Sequence, residues 1–192
     1  MSKFLTAILC CIFLAAEARA QTRPPRDYED AGACPFECCT YRSWAVNEDT
    51  AFYRTRSTKS PRLFSARKGE RVTGLTGVVI TVEPGRAVVR RAATYGGGAG
   101  GRKVRVRPGD VLYLLHYSGE GVYKFWFRGR VYEDSIDRPL ATEGSHGGGI
   151  NRPYAELLSE PKTVWWVKVR DGRGRVGWSR QTEHFGDMDS CA

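Results

Sequence analysis

The chain has 192 residues and a formal net charge of +9, a balance that favours anionic over cationic partners. No apolar run approaches the roughly 20 residues needed to cross a bilayer as a helix. That length argues against a membrane-spanning helix, an uncleaved N-terminal anchor being the alternative.

The first twenty residues have the order of regions found in a secretory signal peptide. Lys3 supplies a positive start, Phe4 to Ala16 are almost unbroken apolar, and Ala18-Arg19-Ala20 offers small residues for cleavage before Gln21. Cys10 and Cys11 sit inside the apolar run, without the small residues and downstream position of a lipoprotein cleavage site. Residues 1–20 are therefore expected to be removed, with the working molecule secreted or periplasmic. Removal takes away Lys3, Arg19 and Glu17, so the net charge falls by one. The remaining chain is long enough for one domain or two small ones.

Four cysteines remain after cleavage: Cys34, Cys38, Cys39 and Cys191. In an oxidising compartment an even count favours disulfides. A bond between the neighbours Cys38 and Cys39 would strain the peptide between them. Cys191 is then expected to join Cys39 or Cys38, with Cys34 taking the other, and either choice ties the C-terminus to the N-terminal segment. Zinc is the alternative for four thiolates, but structural zinc ligands come in close pairs and Cys191 stands alone.

Residues 21–33 are polar, contain proline and are expected to be loosely ordered. From Trp44 onward β-formers recur in short runs separated by glycine, proline or charged turns. The predicted strands are 52–54, 63–66, 71–75, 78–82 and 86–90, with turns at Lys68-Gly69-Glu70 and Pro84-Gly85. Residues 95–101 read as a flexible tip. Strands at 103–107, 111–117, 122–127 and 130–132 follow, with residues 111–117 the most apolar of all. Residues 134–161 form a long glycine-rich loop, within which Tyr154 to Ser159 resembles a helical turn or two. The last hairpin, residues 163–170 and 175–179, has Asp171-Gly172 at its turn, a strong hairpin signal.

Many short strands at this spacing predict an all-β fold, a small barrel or sandwich. Residues 50–75, with Lys68-Gly69-Glu70-Arg71-Val72, resemble the first half of a bacterial SH3-like (SH3b) unit. Trp166-Val167-Lys168-Val169-Arg170 with Gly177-Trp178 resembles its second half, and residues 121–131 resemble another second half. The resemblance implies an SH3-like barrel architecture of two packed lobes with disulfide-tied termini. The expected division is a Cys-containing segment 21–43, a first lobe 44–108, and a second lobe 109–192 carrying the long loop and the C-terminal hairpin. The alternative nests one barrel, inserted between residues 44–76 and 162–180 of the other.

Enzymatic chemistry is not expected. His116 lies in an apolar strand and His184 among polar residues near the C-terminus, both read as structural. Ser145-His146-Gly147-Gly148 resembles the Ser-His-Gly-Cys signature of L,D-transpeptidases. Gly148 stands where that family has its nucleophilic cysteine, so no thiolate is available. The cysteine-histidine amidases that accompany SH3b units also need a free cysteine. Residues 96–103 fail as a phosphate-binding loop, because Arg102 replaces the lysine and Val104 follows Lys103 where Ser or Thr belongs. Glu183, Asp187 and Asp189 make an acidic patch expected to pair with arginines, weak binding of a calcium ion being the less favoured alternative. No cofactor and no metal is expected.

Aromatic residues beside cations make faces that stack on rings and attract anions. The expected binding residues are Tyr123, Trp126, Arg128, Trp166, Lys168, Arg170 and Trp178, with Trp165, Arg130 and Arg173 nearby. Because Trp165 and Trp166 are adjacent on a strand, they point to opposite faces. One is expected in the core and the other partly exposed. Export and the SH3b resemblance imply a binding protein for an anionic cell-wall polymer, peptidoglycan foremost. An envelope protein is the alternative partner, and export argues against nucleic acid.

Overall fold

The computed structural model describes residues 23–97, 101–136 and 154–191. The expected signal peptide, the Ser145 to Gly148 motif with His146, and residues 137–153 of the long loop lie outside the described residues. In chain order the strands are β1 (Tyr28–Ala31), β2 (Ser43–Val46), β3 (Thr50–Tyr53), β4 (Arg62–Ala66) and β5 (Arg71–Glu83). There follow β6 (Gly85–Val89), β7 (Ala93–Gly96), β8 (Lys103–Val106), β9 (Val111–Gly119) and β10 (Val122–Phe127). The last five are β11 (Arg130–Ser135), β12 (Ala155–Ser159), β13 (Lys162–Asp171), β14 (Val176–Ser179) and β15 (Phe185–Gly186). A 3-10 turn, Thr182–His184, precedes β15.

The protein is an all-β domain built on a curled, open sheet. Its order is β15-β2-β5-β13-β14-β3-β4, with β1 also paired to β5. The thirteen-residue β5 replaces the two strands expected from sequence, because one strand serves three neighbours. Along one edge it pairs β2 through Arg71 to Thr73 and β1 through Val78 to Thr81; along the other it pairs β13 for almost its whole length. Gly74 lies mid-strand because Trp44 packs onto its backbone, and a Cβ there would sit 2.5 Å from the indole ring. A second sheet has the order β11-β10-β9-β6-β12, and β7 pairs β8.

Two hydrophobic clusters form under these sheets. One gathers Trp44, Val46, Phe52, Phe64, Ala66, Val72, Val167, Val169 and Phe185. The other gathers Ala87, Val89, Tyr95, Val106, Leu112, Leu114, Phe125, Phe127, Ile136 and Ala155, with Tyr123 beside them. Ala87, Val89, Tyr95 and Val106 thus share one core with Leu112, Leu114, Phe125, Phe127, Ile136 and Ala155. Strands β13 and β14 belong with β2–β5, because β13 pairs with β5 across the whole intervening segment.

Three local expectations are corrected. Residues 155–159 form strand β12 in place of a helical turn, because their backbone pairs with β6 and tertiary pairing overrides the helical preference of Ala, Glu and Leu. Tyr28 to Ala31 are ordered as β1 on the edge of β5. Tyr95 lies in β7 and is buried, its ring edge-on to Phe125 at 5.8 Å, so it is not part of a flexible tip.

One of two disulfides ties the C-terminal segment to the N-terminal one. Disulfides join Cys34 to Cys39 and Cys38 to Cys191, the second across a sequence separation of 153. The C-terminal segment runs beside residues 38–42: Ser190 N–H donates to the Cys38 carbonyl at 2.8 Å and Thr40 N–H to that of Met188 at 2.9 Å. Arg42 donates through Nε to the Asp187 carbonyl at 3.1 Å. Asp187 itself pairs with Arg71 at 2.8 Å, as the acidic patch was expected to do.

Candidate functional site

Strand register assembles an aromatic and cationic row across the outer face of the eight-stranded sheet. Arg62 on β4 stands opposite Tyr53 on β3, Tyr53 opposite Trp178 on β14, Trp178 opposite Lys168 on β13, and Lys168 opposite Thr76 on β5. Alternation explains why these residues share a face. Their neighbours Phe52, Val167, Val169, Gly177 and Ser179 point inward and are buried.

Trp178 is the centre of the row and is half-buried. The Lys168 ammonium and the Arg56 guanidinium both lie 5.7 Å from its ring centroid. Each such contact contributes on the order of 0.5–1 kcal/mol at an exposed site. Arg56 is steadied by Glu29, 2.8 Å away, so β1 helps to hold the cation over the indole. Arg170, two residues beyond Lys168 on the same side of β13, is exposed. The arrangement offers a flat ring bracketed by positive charge, which suits a sugar or amide plane carrying carboxylates nearby.

The expected binding residues separate into two groups. Lys168, Arg170 and Trp178 come together on this face. Trp166 lies on the same side of β13 but is only 5% exposed. Trp165 is half-buried on the opposite side, edge-on to Phe36 at 6.0 Å and close to Tyr41 and Trp44. Tyr123, Trp126 and Arg128 belong to the other sheet. Tyr123 is buried and donates its hydroxyl to the Glu160 carboxylate at 2.8 Å, while Trp126 points to the opposite face of β10. Arg128 sits in the β10–β11 turn at φ 48°, lies 4.6 Å over the Phe127 ring and 3.5 Å from Asp110. These three do not form one surface. Sequence reasoning missed Tyr53, Arg56 and Arg62, whose place in the row depends on the pairing of β14 with β3.

The two described histidines, His116 and His184, are held by their neighbours. His116 is buried, with Nδ1 donating to the Tyr117 carbonyl at 3.0 Å and Nε2 donating to Asp30 Oδ2 at 2.6 Å. The Lys124 ammonium donates to the same carboxylate oxygen. Both ring nitrogens face acceptors, the arrangement that satisfies an imidazolium. Burial acts to raise the Asp30 carboxyl, but hydrogen bonds from His116 and Lys124 and their charge outweigh it and hold the group below its usual value. This cluster clamps β1 against β9 and β10.

His184 donates through Nδ1 to the Thr50 hydroxyl at 3.1 Å and to the Asp49 carbonyl at 3.2 Å, with Glu48 3.5 Å from Nε2. Thr50 is itself buried and gives its proton to the Glu48 carbonyl at 2.8 Å. The resulting Thr-His-Glu grouping therefore lacks a base turned towards its hydroxyl. Cys38, Asp189 and Cys191 lie close together, but both sulfurs are committed to the disulfide and offer no thiolate to a metal.

No helix among the described residues is long and apolar enough to cross a membrane. Comparisons of the chain with protein-family models, with curated proteins and with solved structures find no match.

Proposed function

We propose that this chain is an exported, non-enzymatic binding protein of SH3-like architecture, its two lobes nested, whose outer sheet face engages an anionic cell-wall polymer, peptidoglycan foremost. The observation that carries the reading is the row Tyr53–Trp178–Lys168 with Arg56 over the indole. An aromatic plane stacks on sugar or peptide faces, and the flanking cations meet the carboxylates that such polymers carry. The signal-like N-terminus and the disulfide pairs fit an oxidising compartment outside the cytoplasm. The direct test is cosedimentation of residues 21–192 with purified peptidoglycan across a salt series. Saturable binding that persists above the ionic strength at which surface charge is screened, about 0.15 M and beyond, supports the reading. Absence of binding at every salt concentration refutes it.

A second reading, docking to an envelope protein, draws on a different observation. Leu157 and Leu158 are 42% and 49% exposed on β12, the strand at one end of the five-stranded sheet. The most apolar strand segment, Val111 to Tyr117, exposes only Tyr117. Crosslinking in intact cells from a reactive group placed at position 158 captures a protein partner under this reading.

A further inference from the structure

The two sharp turns at one end of the eight-stranded sheet face each other across a cleft of about 570 Å³. One is the turn from Ala66 to Arg71 between β4 and β5; the other is Asp171 to Arg175 between β13 and β14. Arg67, Arg71, Arg173 and Arg175 line the cleft together with the carboxylates of Glu70 and Asp171. Four fixed positive charges thus face two negative ones.

The carboxylates are already engaged within their own turns. Asp171 Oδ1 accepts the backbone N–H of Arg173 at 3.0 Å and of Arg175 at 2.8 Å, while Oδ2 takes Arg175 Nε at 2.7 Å. Glu70 Oε2 accepts the Arg67 backbone N–H at 3.0 Å. Both acids therefore work as turn braces, which fixes where the arginine side chains start. Among the cations, Arg71 is drawn towards Asp187 at 2.8 Å and Arg175 lies 4.7 Å over the Phe64 ring. Arg67 and Arg173, one from each turn, have no side-chain partner among the described residues.

We propose that this cleft is an oxyanion site, in which Arg67 and Arg173 close from the two turns on a phosphate or sulfate group. A guanidinium presents a planar fork of donors that matches such oxygens, and it keeps its charge at every physiological pH. A tetrahedral group has enough oxygens to be shared by two forks approaching from different turns, whereas a single carboxylate is satisfied by one. The site shares no residue with the Trp178 row, so it is a second point of attachment and does not depend on glycan stacking. The group has two sources with the same chemistry: a free inorganic anion, or an ester borne on a polymer.

The test is an NMR titration of residues 21–192, both disulfides formed, at about 0.15 M ionic strength. The probes are inorganic phosphate, inorganic sulfate and a linear polyphosphate. Saturable shifts confined to the amides of residues 65–71 and 171–175 are expected. Polyphosphate binding that is tighter than that of inorganic phosphate by about tenfold assigns a polymer-borne source, and equal affinity assigns the free anion. The double substitution Arg67→Ala, Arg173→Ala is expected to weaken binding by about tenfold or more. The control Lys59→Ala, Arg105→Ala removes the same charge from exposed sites elsewhere and is expected to leave affinity within about twofold. Trp178→Ala is expected to leave phosphate binding unchanged, which separates this site from the wall-binding face. Equal losses in the two double variants, or shifts that never saturate, overturn the proposal. Unaltered urea midpoints for each variant establish that folding is not the cause.

Discussion

Replacing Asp30 with Asn removes one negative charge and almost no volume from the cluster that joins β1 to the second sheet. Asp30 Oδ2 receives His116 Nε2 at 2.6 Å and the Lys124 ammonium, and the three side chains are 14%, 4% and 24% exposed. The substitution leaves the His116 ring N–H and the Lys124 ammonium facing a neutral amide. Breaking a buried pair by removing one partner costs about 3–5 kcal/mol. Lys124 can turn its ammonium towards solvent, so the loss is expected at the lower end, about 3 kcal/mol. The pH dependence follows from the Asp30 carboxyl, which is held below its usual value in the folded state. A depressed carboxyl contributes stability that is present above the unfolded value, about 3.9, and is lost as pH falls through the folded value. The gap between wild type and Asp30→Asn is therefore widest at neutral pH and closes in strong acid, where the wild-type carboxyl is protonated too. Urea unfolding followed by tryptophan fluorescence, with the disulfides intact, measures both points. A gap under about 0.5 kcal/mol at neutral pH, or one that stays the same size in strong acid, refutes the reasoning.

Other outcomes follow from the same structure. The two disulfides close loops of very different length, with sequence separations of 153 and 5. Replacing Cys38 and Cys191 by serine is expected to cost up to about 5 kcal/mol, and replacing Cys34 and Cys39 up to about 2 kcal/mol, in the chain-entropy model; urea midpoints of the two variants give the order. Gly74→Ala pushes a Cβ to 2.5 Å from the buried Trp44 ring and is expected to cost about 1–3 kcal/mol. Gly172→Ala, with nothing within 4 Å of the new Cβ, is expected to change stability by less than about 0.5 kcal/mol in the same measurement.

The elements that could be read from sequence are those whose signal is local. Asp171-Gly172 between alternating runs announces the β13–β14 hairpin, and the alternation of residues 122–127 announces β10. The opposite facing of Trp165 and Trp166 also follows from strand geometry alone. What covers each face does not: Trp166 turns out the more deeply buried of the two, because packing partners come from distant segments. Tyr28 to Ala31 are too polar to announce a strand, and β1 exists because β5 offers an edge and Asp30 meets His116 and Lys124. Residues 155–159 carry good helix formers, and only pairing with β6 makes them extended. The candidate face shows the same division. Lys168, Arg170 and Trp178 are close in sequence and stand among the seven expected binding residues, undivided from Tyr123, Trp126, Arg128 and Trp166. Tyr53, Arg56 and Arg62 join them through β3 and β14, whose meeting is a long-range event that no local pattern encodes.

The measurement closest to the central claim is an NMR titration of residues 21–192 with soluble peptidoglycan fragments, repeated on Trp178→Ala. The account predicts shifts centred on Tyr53, Trp178, Lys168 and Thr76, with binding lost by about tenfold or more in the variant while its urea midpoint stays near that of wild type. Shifts centred on other surfaces, or an affinity indifferent to the loss of Trp178, would contradict it.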